Sequence, residues 1–152
     1  MRLSRETRYA IEALVELARR PGRLVEARGL AAAAGVPGPF LAKALQALAR
    51  AGVLISVRGG GYRLARPPER ISLPEIVAAV EGRRPFSDEC IFWRTDCSEQ
   101  APCILHWQWR EVRPALERRM EATTLHDIVV HAADGSWRRW ASPAEVTAEE
   151  AP

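Results

Sequence analysis

A mainly helical fold carrying one small β-hairpin is what this sequence predicts. Apolar residues recur at three- and four-residue spacing in several segments, and glycine and proline punctuate the gaps between those segments. One β-branched run is followed, across a glycine triplet, by a second short strand.

The first helix is expected from Ser4 to Arg19. Ile11, Leu14, Val15 and Ala18 make its apolar stripe, with Arg8, Glu12, Glu16 and Arg19 on the other side, and Pro21-Gly22 ends it. A second, short helix runs from Val25 to Ala34, weakened by Gly29 and closed by Gly35. Pro37-Gly38-Pro39 reads as a turn. Phe40 to Ala51 reads as a third helix, with Leu41, Leu45, Leu48 and Ala49 inward and Gly52 as its stop. Two helices joined by so short a turn make a helix-turn-helix unit, whose second helix lies in the DNA major groove. The residues of that helix facing away from the leucines are Lys43, Gln46, Ala47 and Arg50. Gln can read adenine edges, and Lys or Arg can hold guanine or phosphate.

Val53 to Arg58 and Tyr62 to Leu64 are the two strands, joined by Gly59-Gly60-Gly61 as a tight hairpin. A two-strand ribbon directly after a helix-turn-helix is a wing, so the architecture is a winged helix-turn-helix. Arg58 and Arg63 flank the wing tip, where arginine can enter a narrow minor groove. The glycine triplet is not a phosphate-binding loop, because it lacks the Gly-Lys-Ser/Thr ending and leads into a strand. Arg2, Arg5 and Arg8 either touch phosphates at the start of the first helix or solubilise it.

Ala65 to Arg70 is a proline-stiffened connector. Ser72 and Glu75 have capping-box spacing, with Pro74 in the first turn, and they open a helix with Ile76, Val77 and Val80 inward and Gly82 as its stop. Residues 83–102 read as loop. From Cys103 to about Glu121 a long helical pattern places Leu105, Trp109, Val112, Leu116 and Met120 on one side, with Pro114 expected to kink or divide it. Such a striped helix outside the DNA-reading unit suits packing against a twin subunit. Thr124 to Asp127 caps a last short helix reaching about His131. Residues 132–152, rich in Ala, Glu, Ser and Pro, read as a flexible tail, in which Trp137 and Trp140 have no account.

Composition is ordinary for a folded protein. The chain has 152 residues, 47% hydrophobic and 27% charged, which suits one domain plus a dimerisation element. No apolar run approaches the roughly 18–20 residues of a membrane span, and Met1-Arg2-Leu3-Ser4-Arg5 opens no secretion signal, so a cytoplasmic location is expected. Residues 1–82 carry 13 Lys+Arg against 7 Asp+Glu, a net +6, and the remainder is −3, giving +3 overall. A basic front half is what a phosphate-binding surface needs. There is no Cys-x-x-Cys redox pair, no paired carboxylates near the histidines and no nucleophile–base arrangement, so no enzyme is expected.

The inorganic chemistry lies in Cys90, Cys97, Cys103 and His106, spaced C-x6-C-x5-C-x2-H. Three soft thiolates and an imidazole can hold either a tetrahedral zinc or an iron–sulfur cluster, and the same spacing also fits three reduced structural cysteines with a surface histidine and no metal. With a helix starting near Pro102, Cys103 and His106 share one face and Cys103 sits at the positive helix end, which favours thiolate. Cys90 and Cys97 come from the loop before it.

The chain resembles the winged-helix regulator family that includes the iron–sulfur cluster assembly regulator, the nitric-oxide-sensing repressor and the rhizobial iron regulator. The matching residues are Met1 to Ser4, Arg8-Tyr9-Ala10, Ala13-Leu14, Phe40-Leu41, Ala51 to Leu54, Ser56 to Pro67, Ile76, Ala79 to Gly82 and Thr124 to Val129, spanning roughly residues 1–131. The resemblance implies a homodimer on palindromic or pseudo-palindromic operator DNA, more often a repressor, with a redox-, iron- or nitric-oxide-responsive cluster in many members. It implies that Cys90, Cys97, Cys103 and His106 are ligands of a cluster, [2Fe-2S] ahead of [4Fe-4S]. In the nitric-oxide-sensing branch the fourth ligand can be a carboxylate near the partner's N-terminus. Arg8 stands at that place here, with Glu6 and Glu12 as the nearest carboxylates. Two departures matter: the wing is shorter than the family's Pro-Gly-Gly-Gly tip, and Ala42 stands where relatives place a glutamate that tunes base choice. The expected organisation is residues 1–82 for DNA binding, 83–103 for the cluster loop, 104–131 for dimerisation and 132–152 for the tail.

Overall fold

The computed structural model describes residues 3–85, 90–92 and 94–133. Arg2, Trp137, Trp140 and the tail from 134 lie outside the described residues. Six helices and a two-strand antiparallel hairpin follow in the order α1 (Arg5–Ala18), α2 (Ala27–Ala34), α3 (Gly38–Arg50), β1 (Leu54–Val57), β2 (Gly61–Leu64), α4 (Leu73–Glu81), α5 (His106–Ala122) and α6 (Leu125–Ala132). A 3-10 turn, Pro68–Arg70, leads into α4. None of the described helices is long and apolar enough to cross a membrane.

Helix α1 is the hub. Ser4 caps it by accepting the Thr7 N–H at 3.1 Å, and Ile11, Leu14, Val15 and Leu17 are buried. Its polar side is less wet than the sequence suggests. Glu16 is only 5% exposed, because Arg19 and Arg20 each donate to its carboxylate at 2.8 Å. A buried carboxylate survives only when so paired.

Helix α2 starts two residues later than its pattern suggests. Val25 instead pairs with Tyr62, exchanging two backbone hydrogen bonds of 2.9 Å and lacing the wing to the start of α2. Helix α3 starts two residues earlier. Gly38 and Pro39 belong to its first turn, where the missing proline N–H has no intrahelical partner to lose. The turn between the two helices is therefore Gly35–Pro37, with Gly35 left-handed at φ 68°. Leu41, Ala44, Leu45 and Leu48 are buried against α1 and α2.

In the hairpin Val57 pairs with Gly61 and Leu54 with Leu64, so the loop is Arg58–Gly60 and Gly61 is already strand. Alternation points Tyr62 and Leu64 at the core and Arg63 outward. Ser72 caps helix α4, its hydroxyl accepting the Glu75 N–H at 3.4 Å, and the helix buries Ile76 and Val77. Val80 is half-buried against the same core. Helix α6 carries the expected capping box, Thr124 with Asp127, and returns Leu125, Ile128 and Ala132 to that core beside α1.

Helix α5 runs unbroken through Pro114, which therefore does not divide it. It buries no residue in the chain.

Candidate DNA-reading face and thiol centre

The residues expected to read duplex DNA and those expected to hold an inorganic centre fall on separate surfaces. On α3, the buried positions Leu41, Ala44, Leu45 and Leu48 leave Lys43, Gln46 and Arg50 exposed on the other side. Lys43 and Arg50 line one cleft.

 
That cleft measures about 530 Å³ and is closed by Ser4 and Glu6 of the α1 start and by Glu81 and Arg83 at the end of α4. The start of α1 is fixed there because Glu81 Oε1 accepts the Ser4 N–H at 2.9 Å and the Thr7 hydroxyl at 2.8 Å. Arg5 is exposed at the head of α1, and Arg8 lies over the Tyr9 ring, 5.5 Å from its centroid. Arg58 is exposed in the wing loop. Arg63 is half-exposed on the outward face of the hairpin, two pairs back from the turn, so only Arg58 stands at the tip itself.

The thiol centre lies at the start of α5. The Sγ atoms of Cys90, Cys97 and Cys103 are all within 4.8 Å of one another. Cys90 and Cys103 are 3.7 Å apart, and Cys97 Sγ is 3.2 Å from His106 Nδ1. The four donors thus form two close pairs, each joining a residue of the preceding segment to one at the helix start. His106 Nε2 is buried without a hydrogen-bond partner, and its ring meets Trp107 edge-on at 4.9 Å.

The local chain differs from the expected helix start. Helix α5 begins at His106, so Cys103 lies in the turn before it, where its carbonyl accepts the His106 N–H at 3.1 Å. Cys103 and His106 still converge, through that turn rather than through a shared helical face. No Ser, Thr, Asp or Asn caps this end, since Leu105 is the cap residue, and an apolar period alone does not mark where the first turn closes.

Desolvation pushes the Cys90 thiol up, but the N–H groups of Phe92 and Arg94 and the two other thiols outweigh it and hold Cys90 below its ordinary value. The Cys103 N–H pulls Cys97 down, yet desolvation and the neighbouring thiols prevail and raise it. The neighbouring thiols thus act in opposite directions, favouring charge on Cys90 and disfavouring it on Cys97.

A cleft of about 440 Å³ opens beside the thiols, walled by Glu99, Trp109, Arg110 and Arg113. Glu99 and Arg110 pair across it. The sequence reading did not single out this wall. The signal was there, because Trp109, Arg110 and Arg113 follow His106 at helical spacings of three, four and seven.

Residues 3–131 match the sequence profile of the Rrf2 family, described as iron-dependent transcriptional regulators. A protein of Aquifex aeolicus named as an HTH-type transcriptional regulator is 35% identical over 133 residues, covering 85% of this chain and 92% of that one. Among solved structures, IscR of T. potens matches with a TM-score of 0.65 at 26% identity, covering 95% of both chains. CymR of B. subtilis, described as its global cysteine regulator, matches with a TM-score of 0.69 at 24% identity, over 86% of this chain and 97% of that one. At that identity the second likeness speaks for the fold alone.

Proposed function

The chain belongs to the Rrf2 family of transcriptional regulators, and from that premise we propose that it is a cytoplasmic homodimeric repressor whose operator affinity follows an iron–sulfur cluster. Its family and relatives are regulators of transcription, not enzymes. Cys90, Cys97, Cys103 and His106 are the proposed ligands. The observation that carries this reading is the pairing of donors, Cys90 with Cys103 at 3.7 Å and Cys97 with His106 at 3.2 Å. Two donors per iron is what a [2Fe-2S] centre asks of a protein, and the donor set is the soft thiolate and imidazole mixture such iron takes.

When bound, a cluster supplies a cross-link that depends on iron and redox state. Everything else belongs to the chain. Cys90 and Cys97 come from the segment before α5, and Cys103 and His106 from the start of that helix. Four donors held in common fix the segment to the helix, and their release frees it. That segment leaves α4 directly after Glu81, the residue that anchors the start of α1 beside Lys43 and Arg50. Ligation is thereby mechanically connected to the DNA-reading face.

On that face Lys43, Gln46 and Arg50 of α3 enter the major groove, Arg58 and Arg63 of the wing reach the minor groove, and Arg5 meets phosphates; Arg2, outside the described residues, is assigned the same role. We assign DNA reading to residues 1–82, ligation to 83–103, pairing of subunits to α5 within 104–131, and no role to the tail.

Purification without air, followed by absorption spectra and counts of iron, sulfide and zinc, tests the centre. A coloured protein with about two irons and two sulfides per chain is expected. Cys97→Ala should bleach it. A colourless, iron-free wild type after reconstitution, or one zinc per chain, would overturn the cluster reading.

A further inference from the structure

Phe40 is a large aromatic side chain that the fold leaves 53% exposed, in the first turn of α3. Its neighbours Leu41, Ala44, Leu45 and Leu48 fill the core, so the helix is already anchored without it. Phe40 is nevertheless held in place. The Tyr9 ring lies 6.4 Å away, tilted by 50°, and Tyr9 is itself backed by Arg8.

The chemistry around it selects a partner. Helix α3 contains no carboxylate, and its first turn has no acidic residue or side-chain cap. Lys43, Ala47 and Arg50 continue the same side of the helix at spacings of three, seven and ten residues from Phe40. An apolar ring at the head of a cationic stripe fits a polyanion that carries an apolar group. In duplex DNA that group is the 5-methyl of thymine, which lines the major groove and is read by apolar contact. The early residues of a recognition helix are the ones that reach base edges.

We propose that Phe40 is a specificity-determining residue that packs on the methyl group of one thymine in each operator half-site. This rests on the DNA-binding reading above. Phe40 lies in the first turn of α3, two residues before Ala42.

The test first recovers an operator, by selecting random duplexes with full-length protein purified without air. Each thymine is then replaced in turn by deoxyuridine, which removes only the methyl group, and Kd is measured by fluorescence anisotropy. For the wild type, one replacement per half-site should weaken binding about four-fold, the worth of one buried methyl-sized group. Phe40→Ala should bind the parent operator more weakly and lose that sensitivity, while Phe40→Leu, still apolar, should keep part of it. Circular dichroism checks that both variants are folded. A wild type indifferent to deoxyuridine at every position, or a Phe40→Ala protein that keeps the four-fold loss, overturns the proposal while leaving DNA binding intact. Selection that enriches no sequence with the wild type overturns the DNA-binding reading itself, and this proposal with it.

Discussion

Gly61 shows how one residue fixes the geometry of the wing. Its φ is +98°, and an added Cβ would lie 2.3 Å from the Val25 carbonyl oxygen. That carbonyl accepts the Tyr62 N–H, so the close approach is the lacing between wing and α2. Gly61→Ala should therefore break the lacing and cost more than the roughly 1–3 kcal/mol of backbone strain alone. Gly59 is the control, with φ +71° and open space around it, so Gly59→Ala should carry about 1 kcal/mol of conformational cost. Denaturant titration of both variants checks the order, and equal losses would contradict it. Arg58 is exposed in the same loop, and the proposed function assigns it to binding rather than folding. Arg58→Ala should leave the melting temperature unchanged, weaken operator binding, and lower the slope of log affinity against log salt by about one if the contact is to phosphate. Unchanged affinity across several salt concentrations would remove Arg58 from the interface. The sequence could name Arg58 and Arg63 because a basic ribbon after a helix-turn-helix is legible. It could not place Gly61 in the strand, because register depends on the Val25 pairing, which is not local.

At the scale of elements, α1 and α4 are joined by the Glu81 carboxylate, which accepts from Ser4 and Thr7. Burial alone would raise Glu81, but the Ser4 N–H and the Thr7 hydroxyl, helped by Ser4's side chain and Arg83, hold it below its ordinary value. A carboxylate lowered in the folded state stabilises it at pH values above the unfolded pKa of about 4.3, and that contribution is lost as pH falls through the folded pKa. Glu81→Gln should then be less stable than wild type at pH 7, by less than about 1 kcal/mol given its solvent screening. The difference should close as the pH drops below about 4, which thermal melts across pH would reveal. A gap that persists in acid would assign the effect to shape rather than charge. The helices themselves were largely legible, since stripes such as Ile11-Leu14-Val15 and Leu41-Leu45-Leu48 report the buried face directly. Their ends were less so. Pro39 reads locally as turn yet sits where a helix tolerates it, Glu16 reads as solvated yet is buried between two arginines, and the turn at Cys103 hides inside an apolar run. The cysteine spacing named four side chains that the fold brings close together. The pairing of Cys97 with His106 was beyond it, because that depends on the path of the segment between.

For the whole molecule, the decisive feature is a helix without a core. Residues of α1, α3, α4 and α6 close around one apolar cluster, while α5 meets the rest of the chain chiefly through α4. Val112 and Leu116 stand 49% and 44% exposed on one side of it, with Trp107 at 53% nearby. A helix of seventeen residues is marginal alone in water, so packing against something must hold it. In the proposed homodimer a second copy would supply the same stripe by symmetry, which is how most soluble oligomers close. That pairing would also set two recognition helices side by side, as needed for half-sites about 34 Å apart. Leu116→Glu, alone or with Val112→Glu, should therefore raise the dimer dissociation constant by about 100-fold or more, since each new charge would be buried without a partner. Sedimentation velocity should show monomers at micromolar concentration. Far-ultraviolet circular dichroism should stay near wild type outside α5, because neither side chain belongs to the core. Operator affinity should fall as the second half-site contact is lost. A Leu116→Glu protein that sediments as an unchanged dimer would move the subunit interface elsewhere on the molecule and take the paired-helix account of operator reading with it.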